Sequence, residues 1–181
     1  SIVWNAKQCA PVEEWGKYYY GPFGSIASQI TSFTFGDEVE SVPNYLCYNM
    51  GNITTITIPK SVTFFGNRVF RNCAGLISIT WYPRKCTIVK GEYENYMPLF
   101  GYISNYNLCS HVKSFTLGDE VEQIPPCLCC GMDSLPAITL PESLTHIGYN
   151  AFGGCRGLTS IIIPEKVDSI ESEAFHGCRG L

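Results

Sequence analysis

Positive charge is scarce in this chain. Its 181 residues hold 12 Lys and Arg against 16 Asp and Glu, a net charge of −4, and the pI is near 5.3. No Lys/Arg stripe is available to meet phosphates, which argues against a nucleic-acid surface. Long apolar runs are also missing, and none approaches the ~20 residues that a membrane span needs. No secretory leader or lipid-anchor motif is present. Catalytic signatures are absent too: there is no G-x-S-x-G, no P-loop and no H-E-x-x-H. The chain is therefore expected to be no enzyme and to carry no cofactor and no metal.

What the chain has in abundance is repetition. Counted from the Leu, Ile or Val that opens each unit, the sequence recurs every 23 residues. Ile53 opens ITTITIPKSVTFFGNRVFRNCAG, Leu135 opens LPAITLPESLTHIGYNAFGGCRG, and Leu158 opens LTSIIIPEKVDSIESEAFHGCRG. Ile30 and Val112 open two more of that length. A fixed period in this range marks a solenoid, in which each unit is one coil stacked on its neighbours.

Within a unit the first, fourth and sixth places are apolar, as in Ile53, Ile56, Ile58 and Leu135, Ile138, Leu140. Thr or Ser alternates with them, the period-two pattern of a half-buried strand. Pro59, Pro141 and Pro164, or Gly36 and Gly118, then end the strand. A second apolar pair follows, such as Val62 and Phe65, and then a small-plus-aromatic pair such as Ala151-Phe152. That stretch is too short for an ordinary helix and predicts a helical turn. Each coil is thus expected to hold one parallel strand, a shorter second strand and a helical turn, with coils ~4.8 Å apart.

The units open near 30, 53, 76, 112, 135 and 158, with a partial unit at 1–29 and an enlarged unit at 76–111. All belong to a single domain, 1–181. Ile2, Trp4 and Cys9 of the partial unit match Ile79, Trp81 and Cys86 of the enlarged one. A long coil, a GDEVE coil and a TIP or TLP coil therefore form a larger repeat. The chain opens mid-coil at Ser1 and stops at Leu181, the first residue of a further coil. It is expected to be a mature or trimmed segment, so the missing leader says little about compartment.

The stretch ITLPESLTHIGYNAFGGCRGLTSIIIP resembles the BspA-like bacterial surface leucine-rich-repeat family. Its pattern of L-x-x-I-x-I-P, V-x-x-I-G and A-F-x-G-C recurs over essentially the whole chain. The resemblance implies a curved, right-handed leucine-rich-repeat solenoid with its sheet on the concave side, on a secreted or cell-surface protein. It implies adhesion to host proteins only for the family at large, and offers no catalytic residues to map.

Ten Cys residues would ordinarily suggest a disulfide framework or a metal. The register points elsewhere. Cys73, Cys109, Cys155 and Cys178 share one ladder with Met50 and Met132, Cys47 and Cys129 replace the Phe of the AF pair, and Cys9 and Cys86 replace a Val. These eight are expected to point inward as reduced thiols. Cys127 and Cys130 form C-x-x-C, half of a zinc site or a redox pair. The plainer reading is that they replace surface Tyr, since Tyr45 and Tyr48 hold the matching places.

Three surfaces are candidates for binding. Asp37, Glu38 and Glu40, with Asp119, Glu120 and Glu122, stand at equivalent turns and form either a weak cation site or plain solvated turns. The outward strand places, among them Thr55 and Thr57, form a Thr/Ser ladder that either binds an extended partner or merely reflects strand propensity. The long coils carry Trp15, Tyr18, Tyr19, Tyr20, Tyr82, Tyr93, Tyr96 and Tyr102. Such aromatics suit recognition, or else close a widened coil. Phe23 and Phe100, at matching places, are read as packing back over the solenoid. The two excursions are expected to stand ~14 Å apart along the axis and to grip one ligand twice.

The function expected is a non-catalytic recognition module on the cell surface or secreted, binding a host or neighbouring-cell protein or a glycan. A structural spacer within a larger surface protein is the alternative. A redox or metal role through Cys127 and Cys130 is a third.

Overall fold

The computed structural model describes residues 1–9, 21–88, 99–100 and 109–181. In chain order its strands are β1 (Ile2–Trp4), β2 (Phe33–Phe35), β3 (Ser41–Val42), β4 (Thr55–Ile58), β5 (Phe64–Phe65), β6 (Ser78–Trp81), β7 (Thr87–Ile88), β8 (Ser114–Leu117), β9 (Gln123–Ile124), β10 (His146–Ile147) and β11 (Ser169–Ile170). Every pairing between them is parallel.

The strands form two rows. The first row holds β1–β2 and then β4–β6–β8, and the return row holds β3–β5–β7 and then β9–β10–β11. Ile56 faces Ile79, which faces Phe115, and on the return Val42 faces Phe65, which faces Ile88. The alternation read from the sequence holds residue by residue. Ile56, Ile58, Phe115 and Leu117 are buried, whereas Thr55, Thr57, Ser114 and Thr116 are exposed. Each inward residue thus meets its equivalent one coil away, and the buried residues join into one continuous core.

The structure departs from expectation in two places. First, the strand row stops at β8, although Leu135, Ile138 and Leu140 remain buried. Pro136 accounts for the break. At the equivalent place Ile77 donates its N–H to Thr54 O at 2.8 Å, and Lys113 donates to Ile77 O at 2.8 Å. Proline has no N–H to continue that line. Second, the expected helical turn is a pair of linked turns. A residue in the left-handed region precedes the AF pair in five coils: Tyr45, Arg68, Cys127, Asn150 and Glu173, with φ of 52–60°. A second follows within the same turn, at Asn49, Asn72, Gly131, Gly154 and Gly177. A non-glycine residue there costs about 1–2 kcal/mol, and two such residues four apart prevent a helix. A 3-10 helix, Gly24–Gln29, lies in the partial first unit.

The enlarged unit returns to register despite its length. Phe70 N donates to Leu99 O at 3.3 Å, so Leu99-Phe100 stands as the AF pair of that coil. The Phe70 and Phe100 rings stack at 4.8 Å with 12° between planes, which continues the ladder across the widened coil. Phe23 sits half-buried with its ring 6.1 Å from Phe33.

The glycine of each GDEVE coil answers to the long coil before it. A Cβ on Gly118 would stand 2.5 Å from Cδ1 of Tyr82, and one on Gly36 would run into the Asn5 side chain. Tyr82 and Asn5 follow the equivalent tryptophans Trp81 and Trp4. Both glycines are therefore places where a neighbouring side chain lies flat over the backbone.

Stability should concentrate in the ladder. Ile79 is fully buried between Ile56 and Phe115. Ile79→Ala is expected to cost ~2–5 kcal/mol, as buried large-to-small changes do, read as a lower denaturant midpoint in urea unfolding. An unchanged midpoint would contradict the register.

Candidate functional site

A hollow lies on the outward face of the strand row. It encloses about 720 Å³ and is lined by Thr31, Ser32, Thr34, Thr55 and Thr57, with Asp37, Pro59, Lys60 and Tyr82 at its turn side. That volume falls in the ~300–1,000 Å³ range of ligand sites. A smaller hollow of about 240 Å³ lies further along the same face, across Lys113, Ser114, Thr116 and Thr139. The inward isoleucines and phenylalanines fix the strands, and strict alternation then turns every hydroxyl of β2 and β4 to the same side.

Thr55 and Thr57 are thus brought together with partners from three coils. Tyr82 is the residue in this groove that stands out chemically. It is 44% exposed, and its ring rests against the bare backbone of Gly118. The sequence held a signal for it: the place that ends the strand is Pro or Gly in the five 23-residue units and Tyr in this one. Asp37 and Lys60 follow that same place in adjacent coils, which makes them neighbours along the groove edge. Trp15, Tyr18, Tyr19, Tyr20, Tyr93, Tyr96 and Tyr102 lie outside the described residues.

One carboxylate of each acidic turn is paired. Lys7 Nζ lies 3.3 Å from Glu40, and Gln8 donates to the same carboxylate at 2.7 Å. Glu122 is held by Arg84 and by Lys85, the latter at 3.1 Å. These bonds, Gln8 ahead of Lys7 and Arg84 ahead of Lys85, pull both carboxyls below their ordinary range. Among the described residues no group of three or more His, Cys, Asp or Glu side chains is placed to hold a metal ion.

All ten cysteines are free thiols. In the shared ladder Cys73 donates to Cys47 O at 3.0 Å, Cys155 to Cys129 O at 3.1 Å, and Cys178 to Phe152 O at 3.0 Å. A thiol there packs as a small apolar group and also satisfies a carbonyl of the preceding coil, a role that spacing alone does not reveal. The surface placement read for Cys127 does not hold. Its side chain is buried, with the backbone at φ 56°, and burial pushes the thiol up to about 12. Cys130 is half-buried, and the Asn150 amide reaches both sulfurs, at 3.8 Å and 3.4 Å.

A sequence profile of the BspA type leucine-rich repeat region matches six copies across residues 23–97 and 102–181. The chain belongs to this family. Solved bacterial structures share its fold. A leucine-rich repeat protein from Bacteroides ovatus is 26% identical, with a TM-score of 0.62 over 81% of this chain and 34% of that one. One from Eubacterium ventriosum is also 26% identical, with a TM-score of 0.62 over 82% and 37%. A leucine rich cell surface protein from Faecalibacterium prausnitzii is 25% identical, with a TM-score of 0.59 over 99% and 46%. The chain spans less than half the length of each. No curated protein matches it. Among the described residues of this BspA-type domain no helix is long and apolar enough to cross a membrane.

The thiols of the BspA-type coils should react in an order set by cover. Cys9, Cys130 and Cys178 are partly exposed and the other seven are buried. Alkylation of the native protein followed by mass spectrometry is expected to label those three first, with Cys47 and Cys129, the most enclosed, last. Labelling of Cys127 in step with Cys130 would contradict its burial.

The paired carboxylates predict a sign for acid sensitivity. Glu122 has a lowered native pKa, so its contribution is present above the unfolded value of ~4.3 and is lost as pH falls through the lower native value. Glu122→Gln should therefore lower the thermal midpoint at pH 7, and the difference from the parent should shrink as pH drops below ~4. A difference that stays constant from pH 7 to 3 would rule the pairing out.

Proposed function

We propose that this chain is a non-catalytic recognition domain of a cell-surface or secreted bacterial protein, holding an extended protein or glycan in the groove over β2 and β4. The observation that carries the proposal is the groove itself: about 720 Å³ on a rigid sheet, lined by the hydroxyls of Thr31, Thr34, Thr55 and Thr57 and closed by Tyr82. Both hollows lie on the outward face of the strands, which supports a solenoid curved with the sheet on its concave side, and the family resemblance supports a right-handed coil. The family and the cell-surface neighbour support a surface location and adhesion to a host as the setting.

The Tyr-rich parts of the long coils are proposed as a second contact, through Trp15, Tyr18, Tyr19, Tyr20, Tyr93, Tyr96 and Tyr102. Loops on a rigid scaffold are frequent carriers of binding. If neither surface binds, the uniform stacking of coils supports a spacer that holds another domain away from the cell.

An array of host matrix proteins and glycans provides the test. Ligands captured by the parent should bind at least tenfold more weakly to the double variant Thr55→Arg, Thr57→Arg, which fills the groove from exposed places. Loss on replacing the tyrosines at 93, 96 and 102 by Ser, with the arginine variant unaffected, would move the site to the long coils. No captured ligand in either class would leave the spacer reading in its place.

A further inference from the structure

Against a net charge of −4, one part of this surface is basic. A hollow of about 300 Å³ is lined by Lys60, Thr63, Arg84 and Lys85. Lys60 also lines the groove, so the two hollows share a wall. Arg84 and Lys85 are both bonded to Glu122, yet their side chains remain 66% and 67% exposed. Lys60 forms no ion pair among the described residues. With Asp37 beside Lys60, three cations face two carboxylates, and one positive charge remains in excess on an acidic molecule. Such a spot focuses the local field and draws anions to it. The first long coil does not repeat the arrangement, since Lys7 and Gln8 stand there in place of Arg84 and Lys85.

We infer that the groove and the basic hollow form one site for an anionic polysaccharide, with sugar rings along the hydroxyl face and over Tyr82 and a carboxylate or sulfate beside Lys60, Arg84 and Lys85. This rests on the recognition reading above and names its ligand class. The outward side chains of the groove are chiefly Thr and Ser, which exchange hydrogen bonds with sugar hydroxyls. The half-exposed Tyr82 ring, backed by Gly118, is a flat face suited to the C–H side of a pyranose. Asp37, beside Lys60 on the groove edge, accepts from sugar hydroxyls and repels an acid group, which places the anionic substituent on the Arg84 and Lys85 side of Lys60. The attraction is between exposed charges, so salt should weaken it, the screening length being ~10 Å at 0.1 M.

Binding to heparin, hyaluronan, neutral dextran and poly-glutamate is measured by biolayer interferometry at 50 and 500 mM NaCl. The parent is compared with Lys60→Glu, Tyr82→Ser and the double variant Thr55→Val, Thr57→Val, which removes groove hydroxyls without adding charge. Heparin or hyaluronan should bind the parent, weakening at least tenfold at the higher salt, and dextran should bind far less. Lys60→Glu and Tyr82→Ser should each lose tenfold or more, and Lys60→Glu should keep the parent's thermal midpoint because Lys60 is exposed and unpaired. Failure of both charged glycans to bind, or indifference of their binding to Lys60→Glu, overturns the inference. Poly-glutamate binding as tightly, with the same dependence on the variants, replaces the glycan with an acidic polypeptide. Dextran binding equally, lost only in the valine variant, overturns the anionic class and leaves the groove reading standing. Charged-glycan binding unaffected by the valine variant overturns the groove reading itself.

Discussion

The backbone hydrogen bond between a residue and its counterpart one coil away is the constraint on which the rest of this structure depends. Thr63 N reaches Glu40 O at 2.9 Å, Gly66 N reaches Val42 O at 2.7 Å, and Cys47 N reaches Val69 O at 3.0 Å. These partners stand 22 to 24 residues apart in sequence. A coil that drifted by one residue would lose these bonds and turn its apolar strand places outward together. Period, core and cross-coil bonding are therefore a single requirement, and it explains why side chains also bond to the equivalent place. Asn72 Nδ2 donates to Asn49 Oδ1 at 2.8 Å, and Arg68 Nη1 donates to the Tyr45 hydroxyl at 2.8 Å.

The same constraint decides where the chain can grow. The extra residues of the enlarged unit are accommodated between Ile88 and Cys109, after its strands have paired. Leu99-Phe100 re-enters the ladder between them, held by its bond to Phe70 and the stacked rings. An insertion within β6 would instead have broken pairing with both β4 and β8. Loop closure adds little for a modest lengthening, whereas a shifted strand loses its hydrogen bonds and its burial at once.

This is also why so much of the fold was legible in the sequence. Neighbours in space are equivalents in the repeat, so reading Ile56 beside Ile79 needed only the period. The inward ladder of Cys73, Cys109 and Cys155 followed in the same way. What escaped depends on backbone detail that the period does not carry. Pro136 occupies an outward place and looks harmless until the missing N–H is set against Lys113 O. Cys127 shares its place with Tyr45, which suggested surface. Tyr45 is in fact buried too, because the left-handed residue before the AF pair turns its side chain against the neighbouring coil. The groove was half legible: Thr55 and Thr57 followed from alternation, while Lys60 and Tyr82 belong to turn places whose grouping across coils emerges only from stacking.

A register this strict also limits where specificity can reside. The inward places must be apolar, and the left-handed turn places are confined by backbone geometry. Two classes of place remain free to vary from coil to coil: the outward strand residues and the residues just past the end of the strand. The departures from repetition near the groove fall in the second class. Tyr82 stands where the 23-residue coils have Pro or Gly, Lys60 where the other TIP-type coils have Glu142 and Glu165, and Arg84 with Lys85 where the first long coil has Lys7 and Gln8. The groove and the basic hollow both lie along this line of turns. Stacking sets the places of consecutive coils side by side at ~4.8 Å, so single substitutions in separate coils converge on one surface without disturbing the ladder beneath. Binding chemistry in such a solenoid is thus written across coils at the turn places, and the core beneath keeps the same register whichever ligand that surface takes.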